Sequence, residues 1–176
     1  MSIALGSKAP SFELPGVDGN DHSLAEYGDA NLLVLVQYCN HCPYVLAWED
    51  RLIKLARDYA ELGVRVIAVN SNDSARYLED SFERMKERAE ELDFPFDYLF
   101  DANQSLARAL GAERTPEVFL FDEKHRLRYH GAIDDSRDED NASRSYLREA
   151  IDALLAGKEP PAAETESVGC TVKWKS

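Results

Sequence analysis

Residues 31–69, NLLVLVQYCNHCPYVLAWEDRLIKLARDYAELGVRVIAV, decide the fold. Asn31 to Val36 is a short, nearly continuous apolar run, the pattern of a strand covered on both faces in a parallel sheet. After Pro43 the apolar positions Val45, Trp48, Leu52, Leu55, Tyr59 and Leu62 recur at steps of three and four, with charged residues between them, which predicts an amphipathic helix stopped by Gly63. Val64 to Val69 reads as a second buried strand, so the stretch forms one strand, helix, strand unit with a parallel crossover. Cys39-Asn40-His41-Cys42 falls where the first strand hands over to the helix.

Outward from this unit, Leu78, Phe82, Met85, Ala89 and Leu92 predict a second helix or a pair of short ones, and residues 96–100 a short strand. A brief helix around 103–110 ends at Gly111. Thr115-Pro116 introduces residues 117–121, which with 126–130 predict an antiparallel hairpin. A last helix over 142–156 ends at Gly157 and gives way to a Pro, Ala and Glu stretch. The expected organisation is one domain over residues 1–157 and a C-terminal tail over 158–176, mobile until Cys170-Thr171-Val172-Lys173-Trp174.

The 176 residues, 44% hydrophobic, suffice for one ordinary core. With 33 acidic against 20 basic residues the net charge is −13, which repels phosphate backbones and anionic lipid surfaces, so no nucleic acid or membrane partner is expected. The opening MSIALGSKAPSFELPG carries no basic, apolar and small-residue leader pattern, and the expected location is cytoplasmic. Three cysteines in a chain this long do not make a disulfide framework, and two of them are three positions apart, which points to redox chemistry or a metal.

A cysteine at a helix N-terminus faces unpaired N–H groups and the positive end of the helix dipole, and both favour thiolate. Cys39 is therefore expected as the exposed attacking thiolate and Cys42 as the resolving thiol. His41 can carry positive charge beside the thiolate and make the disulfide a stronger oxidant. Tyr38 is a candidate for the substrate surface, Trp48 for the core, and Cys170 for a third thiol that reaches Cys39. His22, His125 and His130 occur singly and receive no role. Asp134-Asp135 and Asp138-Glu139-Asp140 read as a solvated acidic loop.

The order of motifs resembles the thioredoxin superfamily, and more narrowly the redoxin branch that holds the AhpC/TSA-like peroxiredoxins and the TlpA-like thiol-disulfide oxidoreductases. The resemblance rests on residues 6–15 (GSKAPSFELP) with Asp18-Gly19, on CNHCPYV, SNDS and FPFDYLFD, on Thr115-Pro116, and on the terminal GCTVKWK. It implies an α/β, three-layer thioredoxin-like sandwich with a mixed central sheet flanked by helices. It also implies that Pro116 is the cis-proline and that the Thr115 backbone pairs with an extended substrate. Two positions depart from the pattern: Val36 stands where peroxiredoxins resemble one another in a Thr, and the strand ahead of the dithiol lacks the buried carboxylate of thioredoxins, Gln37 being the nearest polar group.

The expected function is a thiol-disulfide oxidoreductase acting on protein or small-molecule disulfides, with no cofactor or metal and with a separate electron donor or acceptor. A thiol peroxidase with Cys39 peroxidatic and Cys42 or Cys170 resolving is the alternative. A metal-binding module using Cys39 and Cys42 with His41 or Cys170 is the third.

Overall fold

The computed structural model describes residues 1–176. After a small antiparallel ribbon, β1 (Glu13–Pro15) and β2 (Asp21–Ser23), the chain enters β3 (Leu32–Tyr38), α1 (Pro43–Tyr59) and β4 (Val64–Asn70). It continues through α2 (Phe82–Glu91), β5 (Asp97–Phe100), α3 (Ser105–Leu110), β6 (Arg114–Thr115), β7 (Glu117–Phe121), β8 (Leu127–Gly131), α4 (Tyr146–Leu155) and β9 (Cys170–Thr171). The central sheet has the order β5-β4-β3-β7-β8, with β3, β4 and β5 parallel and β7 and β8 antiparallel to their neighbours.

Every residue of β3 is buried, as its unbroken apolar run requires. Alternation along the strand splits the core in two. Val34, Val36 and Tyr38 pack with Trp48 and Leu52 of α1, Met85 of α2 and Leu147 and Ile151 of α4. Leu33 and Leu35 pack with Leu106 and Leu110 of α3 and with Leu14 and Tyr27 of the N-terminal segment. The result is the mixed α/β three-layer sandwich that the motif order implies.

Element limits differ from the sequence reading where local chemistry intervenes. The first helix stops at Tyr59 and tightens into a 3-10 turn over Ala60–Leu62 before Gly63, whose φ of +77° provides the left-handed turn into β4. The last helix begins at Tyr146, because residues 135–144 form a loop tied by Asp135, which accepts from the Ser143 amide at 2.8 Å. Asp134 departs from the expected solvated loop. It is buried and accepts from Trp48 Nε1 and from Arg51 Nη1, each at 2.6 Å, so it anchors α1 to the loop after β8.

The C-terminal segment is not a free tail. Thr165 N donates to the His130 carbonyl at 3.0 Å along β8, Val172 N donates to the Glu113 carbonyl at 3.0 Å, and the Lys173 carbonyl accepts from Asp73 N at 2.8 Å. Gln104 bridges Lys173 and Lys175, and Val172 is buried. Backbone groups that a mobile tail would leave to water are satisfied by the domain. No helix is long and apolar enough to cross a membrane.

Asp134 holds two buried donors, so truncating it strands both. Asp134→Ala is expected to lower unfolding free energy by roughly 3 kcal/mol, the scale of breaking one side of a buried ion pair. Asp134→Asn, which keeps an acceptor for Trp48, is expected to cost less. Urea unfolding of the two variants checks the ranking.

Candidate active site

Pro43 sets the start of α1: it occupies the first helical position, where its missing N–H costs nothing, and this makes Cys42 the N-cap residue. Cys39 and Asn40 lie in the turn between the end of β3 and that cap. Gln37 is paired with Glu117 across the β3/β7 ladder, and each strand continues one step further into the site, through Tyr38 to Cys39 and back through Pro116 to Thr115. The Thr115–Pro116 bond is cis. Thr115 meets both sulfurs: Cys39 Sγ lies 3.5 Å from Thr115 Oγ1, and Cys42 Sγ lies 3.4 Å from the Thr115 carbonyl oxygen.

Both cysteines are free thiols, and both are 1% exposed. Cys39 is thus not the exposed nucleophile that its position ahead of the helix suggested. The two thiols are shifted in opposite directions. Cys39 is pushed well above the ordinary thiol value by its hydrogen bond to Cys42, by burial and by the Asp80 carboxylate. Cys42 is pulled below that value, chiefly by its neighbour Cys39, with Cys170 and the Val45 amide acting in the same direction and burial opposing. Burial and mutual proximity therefore favour one thiolate over two in the reduced pair.

Asp80 is the carboxylate that the strand ahead of the dithiol lacks. It sits at the end of a 3-10 turn, Leu78–Asp80, fully buried, 40 residues from the motif it serves. Its oxygens accept from the Asn40 amide at 2.7 Å, from Asn72 Nδ2 at 2.9 Å and from Asn70 Nδ2 at 3.2 Å. His41 Nδ1 approaches it to 2.7 Å as an ion-pair contact outside hydrogen-bond alignment, and the imidazole stacks on Tyr77. His41 therefore faces a carboxylate instead of standing alone beside the thiolate. Asn40, to which the sequence reading gave no role, is locked by Tyr98, whose hydroxyl donates to Asn40 Oδ1 at 2.6 Å, and by the Glu79 carbonyl, which accepts from Asn40 Nδ2 at 2.9 Å.

On the opposite side, Glu117 is buried and shapes the loop that carries Thr115. It accepts from the amides of Glu113 and Arg114 at 2.8 and 2.9 Å and meets His130 Nε2 at 2.5 Å. His130, a residue without a role in the sequence reading, thus supports the Thr115 loop from β8. Gln37 serves the core: its amide donates to Ser71 Oγ at 2.9 Å and to the Val69 carbonyl at 3.2 Å.

Tyr38 is displaced from its expected place. It is buried, not at the substrate surface, and its hydroxyl donates to Glu49, which is in turn clamped by Arg88. Alternation explains this: the last residue of β3 points to the face that α1 and α2 cover. Trp48 lies in the core as expected. His22 lies among carboxylates, meeting Glu26 at 2.6 Å and Asp18 at 2.9 Å. Although burial alone would lower it, the hydrogen bonds to Glu26 and Asp18 hold the imidazole above its ordinary value.

Cys170 reaches the site, but through Cys42. Its strand β9 pairs antiparallel with β6, which sets Cys170 opposite Thr115, the residue whose carbonyl oxygen lies 3.4 Å from Cys42 Sγ. Of the residues in the metal reading, Cys39 and His41 bring their ligand atoms, with Asp80, within 4.8 Å of one another. Beside His41 opens a cleft of about 520 Å³ lined by Asn40, Leu46, Leu78, Arg84 and Arg88.

Comparison with known proteins agrees with this architecture. The crystal structure of a hypothetical protein from Sinorhizobium meliloti superposes with a TM-score of 0.94 at 40% identity, covering 100% of this chain and 97% of that one. An uncharacterized conserved protein from Geobacillus kaustophilus superposes with a TM-score of 0.93 at 42% identity, covering 98% and 93%. The thiol-disulfide oxidoreductase ResA of Geobacillus thermodenitrificans is 26% identical over 129 residues, 72% of this chain and 68% of that protein. The AhpC/TSA family matches residues 5–130, and with well over half of its length so matched, from the first ribbon through the dithiol and the Thr115 loop to β8, this chain belongs to that family.

Proposed function

We propose that the chain is a thiol-disulfide oxidoreductase whose working couple is the Cys39–Cys42 dithiol and disulfide, with disulfide-containing proteins or small molecules as substrates and a separate redox partner to reset it. One observation carries the reading: two free thiols lie together at the N-terminus of α1, both in contact with Thr115 ahead of the cis Pro116. The similarity to a named thiol-disulfide oxidoreductase supports the same reaction class.

In this reading Cys42 attacks. Its thiolate displaces one sulfur of a substrate disulfide, forming a mixed disulfide; Cys39 then loses its proton, attacks Cys42 and releases the second substrate thiol. Asp80 positions Asn40 and keeps Cys39 protonated until that second step. The assignment exchanges the roles that sequence placement suggested for the two cysteines, because Cys42, expected in the first turn, is the N-cap residue of α1.

Family membership, together with a thiolate at a helix N-terminus, favours a second reading in which the oxidant is a hydroperoxide. The Cys42 thiolate would take one peroxide oxygen as sulfenic acid, releasing an alcohol or water, and Cys39 or Cys170 would condense with it to a disulfide and water. Stopped-flow consumption of hydroperoxide far faster than a free thiol supports this oxidant; a rate equal to that of a free thiol removes it.

Turnover of a model disulfide is expected to fall to background in Cys42→Ser, whereas the Cys39→Ser, Cys170→Ser double variant is expected to stop at a stable mixed disulfide on Cys42. Full activity in Cys42→Ser would overturn the assignment.

The pH dependence has a definite sign. Because the folded Cys42 value lies below the ordinary thiol value near 8.5, its contribution to the stability of the reduced protein is complete above about 8.5 and is lost as pH falls through the depressed value. Cys39 acts oppositely, its contribution being complete below about 8.5 and lost as pH rises through its elevated value. Thiolate absorbance of the reduced protein is expected to show one thiolate at neutral pH, abolished by Cys42→Ser. Asp80→Asn is expected to bring the second titration to lower pH without removing the first.

A further inference from the structure

The backbone edge that would receive an extended substrate is already occupied. Thr115 and Arg114 of β6 pair with Cys170 and Thr171 of β9, and the chain just after the pair is held by two more bonds: Val172 N to the Glu113 carbonyl at 3.0 Å, and Lys173 N to Asn72 Oδ1 at 2.9 Å. Gly169 allows the approach, since a Cβ there would run into the Thr115 carbonyl. Edge pairing of an extended segment is a recognised mode of peptide binding, with backbone bonds for affinity and side-chain placement for specificity. Here the peptide is the chain's own, and the side chain placed over the dithiol is a thiol.

We propose that β9 is a built-in occupant of the substrate edge and that Cys170 is a third redox thiol, which exchanges with the Cys39–Cys42 disulfide at the Cys42 sulfur. The proposal rests on the oxidoreductase reading and extends it to the residue that shields and shares the couple.

The step balances without an external reductant. Cys170, as thiolate, attacks Cys42 Sγ of the Cys39–Cys42 disulfide. The Cys42–Cys170 bond forms, the Cys39–Cys42 bond breaks, and Cys39 leaves with the electron pair and takes up the proton that Cys170 gave. The attack is timed by charge. In the reduced site burial and the neighbouring Cys42 thiolate hold the Cys170 thiol up at about 11, while Lys173 pulls it the other way. Once Cys42 is bonded to Cys39 its negative charge is gone, and with it the part of that resistance which comes from Cys42. Oxidation of the pair thus readies the third thiol. Of the other charged groups nearby, Arg114 Nη1 bonds the Gly169 carbonyl at 3.4 Å beside Cys170, whereas Asp80 and His41 group with Cys39.

Trypsin distinguishes the bridges, because Cys39 and Cys42 fall on peptide 9–51 and Cys170 on peptide 159–173. Full-length Cys39→Ser, oxidised with glutathione disulfide, acid-quenched and alkylated, is expected to yield the linked pair of peptides as the main species. With Cys170→Ser added, it is expected to accumulate glutathione on Cys42. A stable glutathione adduct on Cys42 in the single variant, with Cys170 alkylated, would overturn the proposal. Gly169→Val, which drives β9 off the edge, is expected to raise the alkylation rate of Cys42 several-fold with an unchanged circular dichroism spectrum; an unchanged rate in a folded variant counts against the strand as occupant. Wild-type protein that forms neither a bridge within peptide 9–51 nor one from it to peptide 159–173 would remove the oxidoreductase reading instead, independently of what Cys39→Ser does.

Discussion

The pairing of β3 with β7 is the constraint from which the site follows. Once Gln37 is set opposite Glu117, the chain leaving β3 and the chain entering β7 converge beyond the end of the ladder, and Cys39 and Thr115 meet there. A slip of one residue would turn every side chain of β3 to the other face, exchanging the Val34, Val36, Tyr38 set for Leu33 and Leu35. The two core halves differ in shape, one built on Trp48 and the other on Leu106 and Leu110, so the register is specified by packing on both faces. Glu117 links this register to chemistry, because the carboxylate that follows Pro116 also holds the Glu113 and Arg114 amides.

The second organising fact is that the pair carries one negative charge and not two. Burial makes a second thiolate costly, and the Asp80 carboxylate on the Cys39 side makes it costlier there. Groups that favour charge on sulfur gather instead around Cys42: Cys39 from the turn, Cys170 from β9 and the Val45 amide from the helix. Thiolate stabilisation of the reduced form makes the disulfide a stronger oxidant. In this chain the effect arises from groups drawn from these three segments, and His41, which faces Asp80, is not its main source.

The fold was legible because its signals are local and redundant. The apolar run of β3, the three-and-four spacing of α1 and the second run of β4 lie within 39 consecutive residues, and a turn or proline marks each boundary. Much of the site was legible too: Cys39, Cys42, Thr115 and Pro116 do converge. What escaped was set by long-range geometry. Asp80 reaches the dithiol only because the β3/β4 crossover places the loop after β4 beside the turn after β3, and its one trace in the sequence is the polar run Asn70-Ser71-Asn72-Asp73 at a strand end. Tyr38 was misplaced because adjacency to Cys39 says nothing about which face of the strand it takes. The tail looked mobile because its composition is that of a linker, and its order comes from backbone bonds to β6, to β8 and to the loop after β4, which composition does not report.

Those backbone bonds tie the tail to the redox state. The β9 strand sets Cys170 beside the dithiol, so charge on Cys42 acts on the strand through that thiol. Oxidation to Cys39–Cys42 removes that charge and weakens the contact, and a weaker contact frees the Thr115 edge for another extended segment. By linkage, a segment that binds the freed edge must in turn favour the oxidised pair. The short strand is suited to this because only Cys170 and Thr171 pair with β6, and so few backbone bonds open at low cost compared with any strand of the central sheet. Cover and couple are in this way two readings of the same sulfur: its charge decides both whether the strand stays and whether Cys170 can attack.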